Sequence, residues 1–419
     1  MPRLLLAAAT AVTLAACGGE KDTAAPPTTP PAAPSSAPVL AASYDPDGSR
    51  IVWVNGRTLE PVGGRSVPVP FFAAVGALAP GGGVLAVGEN EGGRVQLVDV
   101  EAMRALSTLE IDRTSWVERL HWAAPDLLLA SLGGSTSHAA ALDPETGDVL
   151  SVRDLGGVTL YSHPAGEELV FLVAPAEGIG SARLVVFNGR ELRSVKLGEI
   201  QAGWEQEGSE DDYRARQSVP ALAVEPSGSR ALVVPAGDRV AEVDLRSLKV
   251  AYHDLAEPVS LLGRLRDWLE PSARAKAMDG PDRNAVWLPS GLVAVSGSQY
   301  TMDGDSVDVT PAGLALIDPT DWSIRRLSDE PGWVTFRGGA LLASAWREGT
   351  DEQALIVFDS DGTLRFSLVR EGSDFSQVSG HHLYATTPDG TRFEIIDLET
   401  GETVGRAAPR LETWLLYLD

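Results

Sequence analysis

From Val39 to the last residue the chain runs as short segments rich in Val, Ile and Leu, separated by Gly, Pro, Asp and Asn. Apolar residues at helical spacing are scarce, so the pattern predicts strands and turns and an all-β body. One kind of strand recurs with a polar stop, as in Arg94–Asp99 and Arg392–Asp397. Its stops are Asn55, Asp99, Asp143, Asn188, Asp244, Asp318, Asp359 and Asp397, at intervals of 44, 44, 45, 56, 74, 41 and 38 residues. Shorter apolar runs precede it, such as Leu127–Ser131 and Leu169–Val173, and others follow it, such as Ala105–Leu109 and Leu364–Leu368.

Four strands in roughly forty residues make one propeller blade. The eight stops predict a single β-propeller of about eight four-stranded blades over 39–419, with seven as the alternative if one repeat is degenerate. The two long intervals exceed the repeat by about 12 and about 30 residues, too few for another four-stranded sheet. They carry insertions, placed at 201–217, 257–281 and 298–310.

The two ends of the body are complementary. Leu40–Asn55 aligns with Leu383–Asp397, each a hairpin around an Asp-Gly turn, so the body begins at the second strand of a blade. Glu412–Leu418 remains as a single strand after the last full set. Pairing it with the N-terminal strands closes the ring and removes an open sheet edge.

The first 38 residues have a different character. Arg3 is followed by Leu4–Ala16, apolar apart from Thr10 and Thr13, a signal-peptide core too short to span a bilayer. It ends in Leu14-Ala15-Ala16-Cys17, followed by Gly18, which resembles the bacterial lipobox. That resemblance implies cleavage after residue 16, a diacylglycerol thioether on Cys17, and an anchor on the outer face of a cell-envelope membrane, extracellular or periplasmic. Cys17 is the one cysteine of the chain, so no internal disulfide is expected. Residues 17–38, through Ala-Pro-Pro-Thr-Thr-Pro-Pro, read as an extended lipid-anchored linker.

The units resemble WD40-like, YVTN and quinoprotein-like repeats through a D-x-x-T-G hairpin, seen at Asp143–Gly147 and Asp397–Gly401. The resemblance implies the architecture and leaves the function open. Quinoprotein repeats place a tryptophan four residues after that glycine, where this chain has Ser151 and Gly405, so no cofactor is expected.

Charge narrows the partners. With 58 acidic and 34 basic residues the net charge is −24 and no basic run exists, which argues against nucleic acid. There is no Gly-x-Ser-x-Gly elbow and no His-Glu-x-x-His, and the adjacent His381 and His382 point to opposite faces of a strand.

The insertions hold the candidate site residues. The first brings Trp204, Asp211, Asp212 and Tyr213. The second places Leu261, Leu265 and Trp268 on one arc of a short amphipathic helix, capped by Ser260 and stopped by Pro271. The third gathers Asp303, Asp305 and Asp308, a candidate Ca2+ site without EF-hand spacing. The expected function is a membrane-anchored binding or scaffold propeller for a protein, peptide or glycan. The alternative is a metal-dependent hydrolase resembling the lactonase propellers, with carboxylates around calcium in the central channel.

Overall fold

The computed structural model describes residues 38–45, 48–89, 91–112, 114–207, 214–255, 278–303, 306–346, 352–371, 375, 377–387, 392–408 and 413–415. They form an eight-bladed β-propeller with no helix among them. Blade 2 shows the pattern: Ala73–Leu78, Val84–Glu89, Gly93–Asp99 and Arg104–Asp112 pair in chain order as an antiparallel sheet. Blades 3 to 8 begin with Trp116–Ala124, Val158–Ala165, Ala221–Val224, Met278–Trp287, Trp333–Arg337 and Gln377–Ser379. These first strands line the axis, and those of blades 2 and 3, 4 and 5, 5 and 6, and 6 and 7 meet directly.

Blade 1 is composite. Pro38–Asp45, Gly48–Asn55 and Pro61–Val69 come from the start of the body as its second to fourth strands, and Thr413–Leu415 supplies the first, pairing Ala41 with Leu415 and Ser43 with Thr413. Closure therefore occurs as the complementary ends predict. Tyr384 of blade 8 adds a side-chain tie across the same seam, its hydroxyl donating to the Gly56 carbonyl at 2.7 Å.

Apolar side chains on the two faces of each blade pack against the blades on either side. Eight separate clusters result, one for each junction around the ring. At the seam Ala41, Val52, Val54 and Leu59 pack on Tyr384, Phe393, Ile395 and Ala407. Two tryptophans pin neighbours through their indole N–H: Trp53 to the Val100 carbonyl at 2.9 Å and Trp122 to that of Ala77 at 3.0 Å. Trp287 is buried between blades 5 and 6, with the Arg230 guanidinium 5.2 Å from its ring centre.

The recurrent Asp or Asn has a physical role. It ends the third strand, and its carboxylate or amide oxygen accepts N–H groups of the following turn. Asp143 takes those of Glu145 and Thr146 at 2.8 and 3.0 Å, and Asp397 those of Glu399 and Thr400 at 2.9 Å. These bonds hold the Asp143 carboxyl below the usual carboxylate range. After Asn188 and Asp359 the backbone turns left-handed at Gly189 and Gly362, and in the other six hairpins it does so four residues after the stop. Gly147 and Gly401 sit there with φ of 82° and 75°, and Leu59, Met103, Leu248 and Trp322 occupy the same place with φ between 50° and 62°. The left-handed turn belongs to every one of these hairpins, and glycine is the residue that adopts it without strain.

Each strand carries the chain from one side of the ring to the other. The second-to-third connection and the exit from the fourth strand therefore open on the side where first strands begin, here called the upper face. The polar-stop turns lie on the lower face.

Candidate functional site

The described parts of all three insertions belong to the upper face. The first follows the fourth strand of blade 4, Leu192–Glu207, which runs on to pair Trp204 with Gly178 and then turns back as Arg214–Ser218. The returning strand lies parallel to the first strand of blade 6, with Ala215 opposite Met278 and Arg216 opposite Asp279. The Val219 N–H donates to the Pro281 carbonyl at 3.0 Å, and Arg283 N–H to that of Val219 at 2.8 Å. Blades 4 and 6 thus join in one ten-stranded sheet that passes blade 5. The acidic loop read from sequence is in its described parts a paired hairpin, because backbone beside the axis has to satisfy its N–H and C=O groups.

Trp204 is on this hairpin and exposed, whereas Asp211, Asp212 and Tyr213 lie outside the described residues. So do Leu261, Leu265 and Trp268, with the whole predicted helix, and so does Cys17. The described ends of the second insertion, Leu255 and Met278, open on the upper face. The third insertion is a hairpin of blade 6 in which Tyr300 pairs with Val309 and Thr301 with Asp308. Asp305 and the side chains of Asp303 and Asp308 are outside the described residues. Among the described residues no three His, Cys, Asp or Glu side chains stand close enough to share a metal ion.

Exposed aromatic rings mark the same face. Phe72, Trp116 and Trp333 stand at or just before the start of first strands in blades 2, 3 and 7, and with Trp204 they are 37–48% exposed. The other large apolar side chains left exposed, apart from Val309 of the blade 6 hairpin, are on fourth strands at the circumference: Val62, Leu106, Val149, Leu150, Val152 and Leu364. An outermost strand has one side open, so those need no special account.

These rings had a signal in the sequence. Aromatics recur fifteen to seventeen residues after a polar stop: Phe72 after Asn55, Trp116 after Asp99, Trp333 after Asp318, Phe375 after Asp359 and Trp414 after Asp397. The spacing is that of the turn and fourth strand, and it returns the chain to the upper rim.

A cavity of about 620 Å³ opens on this face where blades 4, 6, 7 and 8 converge. Asp282 and Tyr161 lie on one side of it, Ser298 and Tyr300 rise from the second strand of blade 6, and Trp333 and Gln353 come from blade 7. The Tyr161 hydroxyl donates to the Arg283 carbonyl at 2.6 Å and lies 3.3 Å from Asp282 Oδ1. Burial, then the charge of Asp282, pushes the Tyr161 phenol far above its usual value. Burial likewise raises the Asp282 carboxyl, opposed by the Tyr161 hydrogen bond and the Arg283 charge. Arg283 is 1% exposed, donates from Nη1 to the carbonyls of Asp282 and Ser298, each at 3.1 Å, and is lowered by burial to about 10.

No protein-family model matches the chain, and no curated protein is similar to it in sequence. Solved structures do resemble it. The dihydro-heme d1 dehydrogenase NirN, in complex with DHE, matches at TM-score 0.56 and 12% identity over 93% of this chain and 77% of that one. AztD from Citrobacter koseri matches at TM-score 0.50 and 11% identity over 90% and 96%, and BamB from Moraxella catarrhalis at 0.46 and 11% over 83% and 93%. At such identities the likeness to NirN and AztD is one of fold alone, a β-propeller.

Proposed function

We propose that the protein is an exported binding propeller, anchored through lipid on Cys17, that holds a protein, peptide or glycan of the cell envelope on its upper face. The observation that carries this reading is the segregation of exposed aromatics. Phe72, Trp116, Trp204 and Trp333 share one face with the described parts of the three insertions. Exposed Trp side chains are disfavoured in water and enriched where partners bind, because one rigid ring covers much area at little entropic cost. The net charge of −24 keeps nucleic acid from the list of partners. The lipobox and the Pro-rich stretch before Val39 support an anchored body held off a membrane surface.

The test compares partners cross-linked in the envelope of the producing cell to the full-length protein, to Trp116→Ala/Trp204→Ala, and to the circumferential variant Leu150→Ala. The upper-face variant is expected to lose a discrete adduct that Leu150→Ala retains, since truncating one central Trp costs about 2 kcal/mol or more. Equal adducts from all three would remove the upper face from consideration. In the same cells Cys17→Ser is expected to pass from the membrane to the soluble fraction, and retention of that variant on the membrane would overturn the anchor.

A further inference from the structure

We infer that the upper-face cavity where blades 4, 6, 7 and 8 converge is a saccharide site that takes one neutral sugar ring. This rests on the reading of the upper face as the binding face and names the chemistry of one pocket on it. Its volume, about 620 Å³, falls within the range of small-ligand sites, about 300–1,000 Å³.

Gln353 carries the inference. It lies on the third strand of blade 7, is 8% exposed, and lines the cavity, and its Oε1 is buried with no hydrogen-bond partner among the described residues. An acceptor left in that condition has lost its hydration without replacement, and a donor arriving in the cavity restores the bond. Asp282 is a second acceptor on the cavity wall, and burial raises its carboxyl, so a hydroxyl donated to it is worth more than one in water. Asn284, by contrast, is committed to the fold: its Nδ2 donates to the Gly332 carbonyl at 3.2 Å and its Oδ1 accepts the Val334 N–H at 2.9 Å. It fixes the corner from which Trp333 projects.

The local charge selects the ligand class. The charge of Arg283, the next residue on the strand, offsets part of that of Asp282, and an anion would meet the Asp282 carboxylate on the cavity wall. A peptide brings one carbonyl for every N–H, and these walls are rich in acceptors. Sugar hydroxyls both donate and accept, so they satisfy Gln353 and Asp282 and also answer the Ser298 and Ser344 hydroxyls. The apolar C–H face of the ring suits the Trp333 indole, 44% exposed at the mouth.

The test is saturation-transfer NMR on the full-length protein with the methyl glycosides of glucose, galactose, mannose and N-acetylglucosamine, and with N-acetylated dialanine amide as the peptide probe. At least one glycoside is expected to bind. Gln353→Leu, similar in volume, and Trp333→Ala are each expected to weaken it about tenfold, and Leu150→Ala, on the circumference, to leave it unchanged. Binding by no glycoside, equal binding by the two cavity variants and wild type, or preference for the peptide probe would overturn the assignment. Should the glycosides fail while cross-linked adducts still depend on Trp116 and Trp204, the saccharide site falls alone; loss of both results removes the binding face as well.

Discussion

A chain ending at Ala408 is expected to lose the closed ring and to aggregate on mild heating, with a melting midpoint lower by roughly 5 °C or more. The truncation removes Thr413–Leu415, the strand that completes blade 1 against Ala41–Ser43. The N–H and C=O groups of Ala41–Ser43 on that side then become an open edge, available to the same edge of a second molecule. The apolar cores of the other seven junctions draw only on residues that remain, so those blades should stay folded. Tyr384→Phe in the intact chain isolates the smaller tie and should cost about 1 kcal/mol. Light scattering against temperature separates the two: if the truncated chain stays monomeric and melts with wild type, the terminal strand does not close the ring.

Blade count and closure were legible because each blade repeats one piece of turn chemistry. Asp143 and Asp397 stop a strand by accepting N–H groups from the turn, so an Asp or Asn every forty-odd residues marks the third strand of successive blades. The D-x-x-T-G form was legible only where Gly147 and Gly401 fill the left-handed position. In the hairpins of Leu59, Met103, Leu248 and Trp322 the same φ is imposed on residues that hide it. Packing repays some of that strain: Leu59 is 1% exposed in the closing seam, and the Trp322 ring stacks on His253 with centroids 3.7 Å apart.

The site was much less legible. Trp204 stood out because it lies in an insertion, whereas Phe72, Trp116 and Trp333 belong to the repeat and resemble core aromatics until their faces are known. Tyr161, Asp282 and Gln353 meet only because the ring brings blades 4, 6 and 7 around one axis. No local spacing encodes that convergence. The ten-stranded sheet was hidden for a similar reason, since the pairing of Arg214–Ser218 with the first strand of blade 6 skips an entire blade in the sequence.

Gly280→Ala should release that pairing, at a cost of about 2–4 kcal/mol confined to the upper face. Gly280 has φ of 145°, a conformation that L side chains rarely adopt, and a Cβ built there would lie 1.7 Å from the Gln217 carbonyl oxygen and 2.7 Å from its carbon. Backbone, unlike the tip of a side chain, cannot swing aside, so the two strands have to separate. The bonds between Val219 and its neighbours Pro281 and Arg283 are the first to be lost, and they tie the insertion of blade 4 to blade 6. The cores between other blades have no part in this contact. Hydrogen exchange should therefore quicken at residues 214–219 and 278–283 while the second strand of blade 3, Leu127–Gly133, keeps its protection. Because Asp282 stands two residues beyond the glycine, the variant should also weaken whatever the upper cavity holds. Unchanged exchange at 214–219 would mean that the clasp is not held by this close approach, and uniform loss of protection around the ring would mean that blades 4 to 6 do not open as a separate unit.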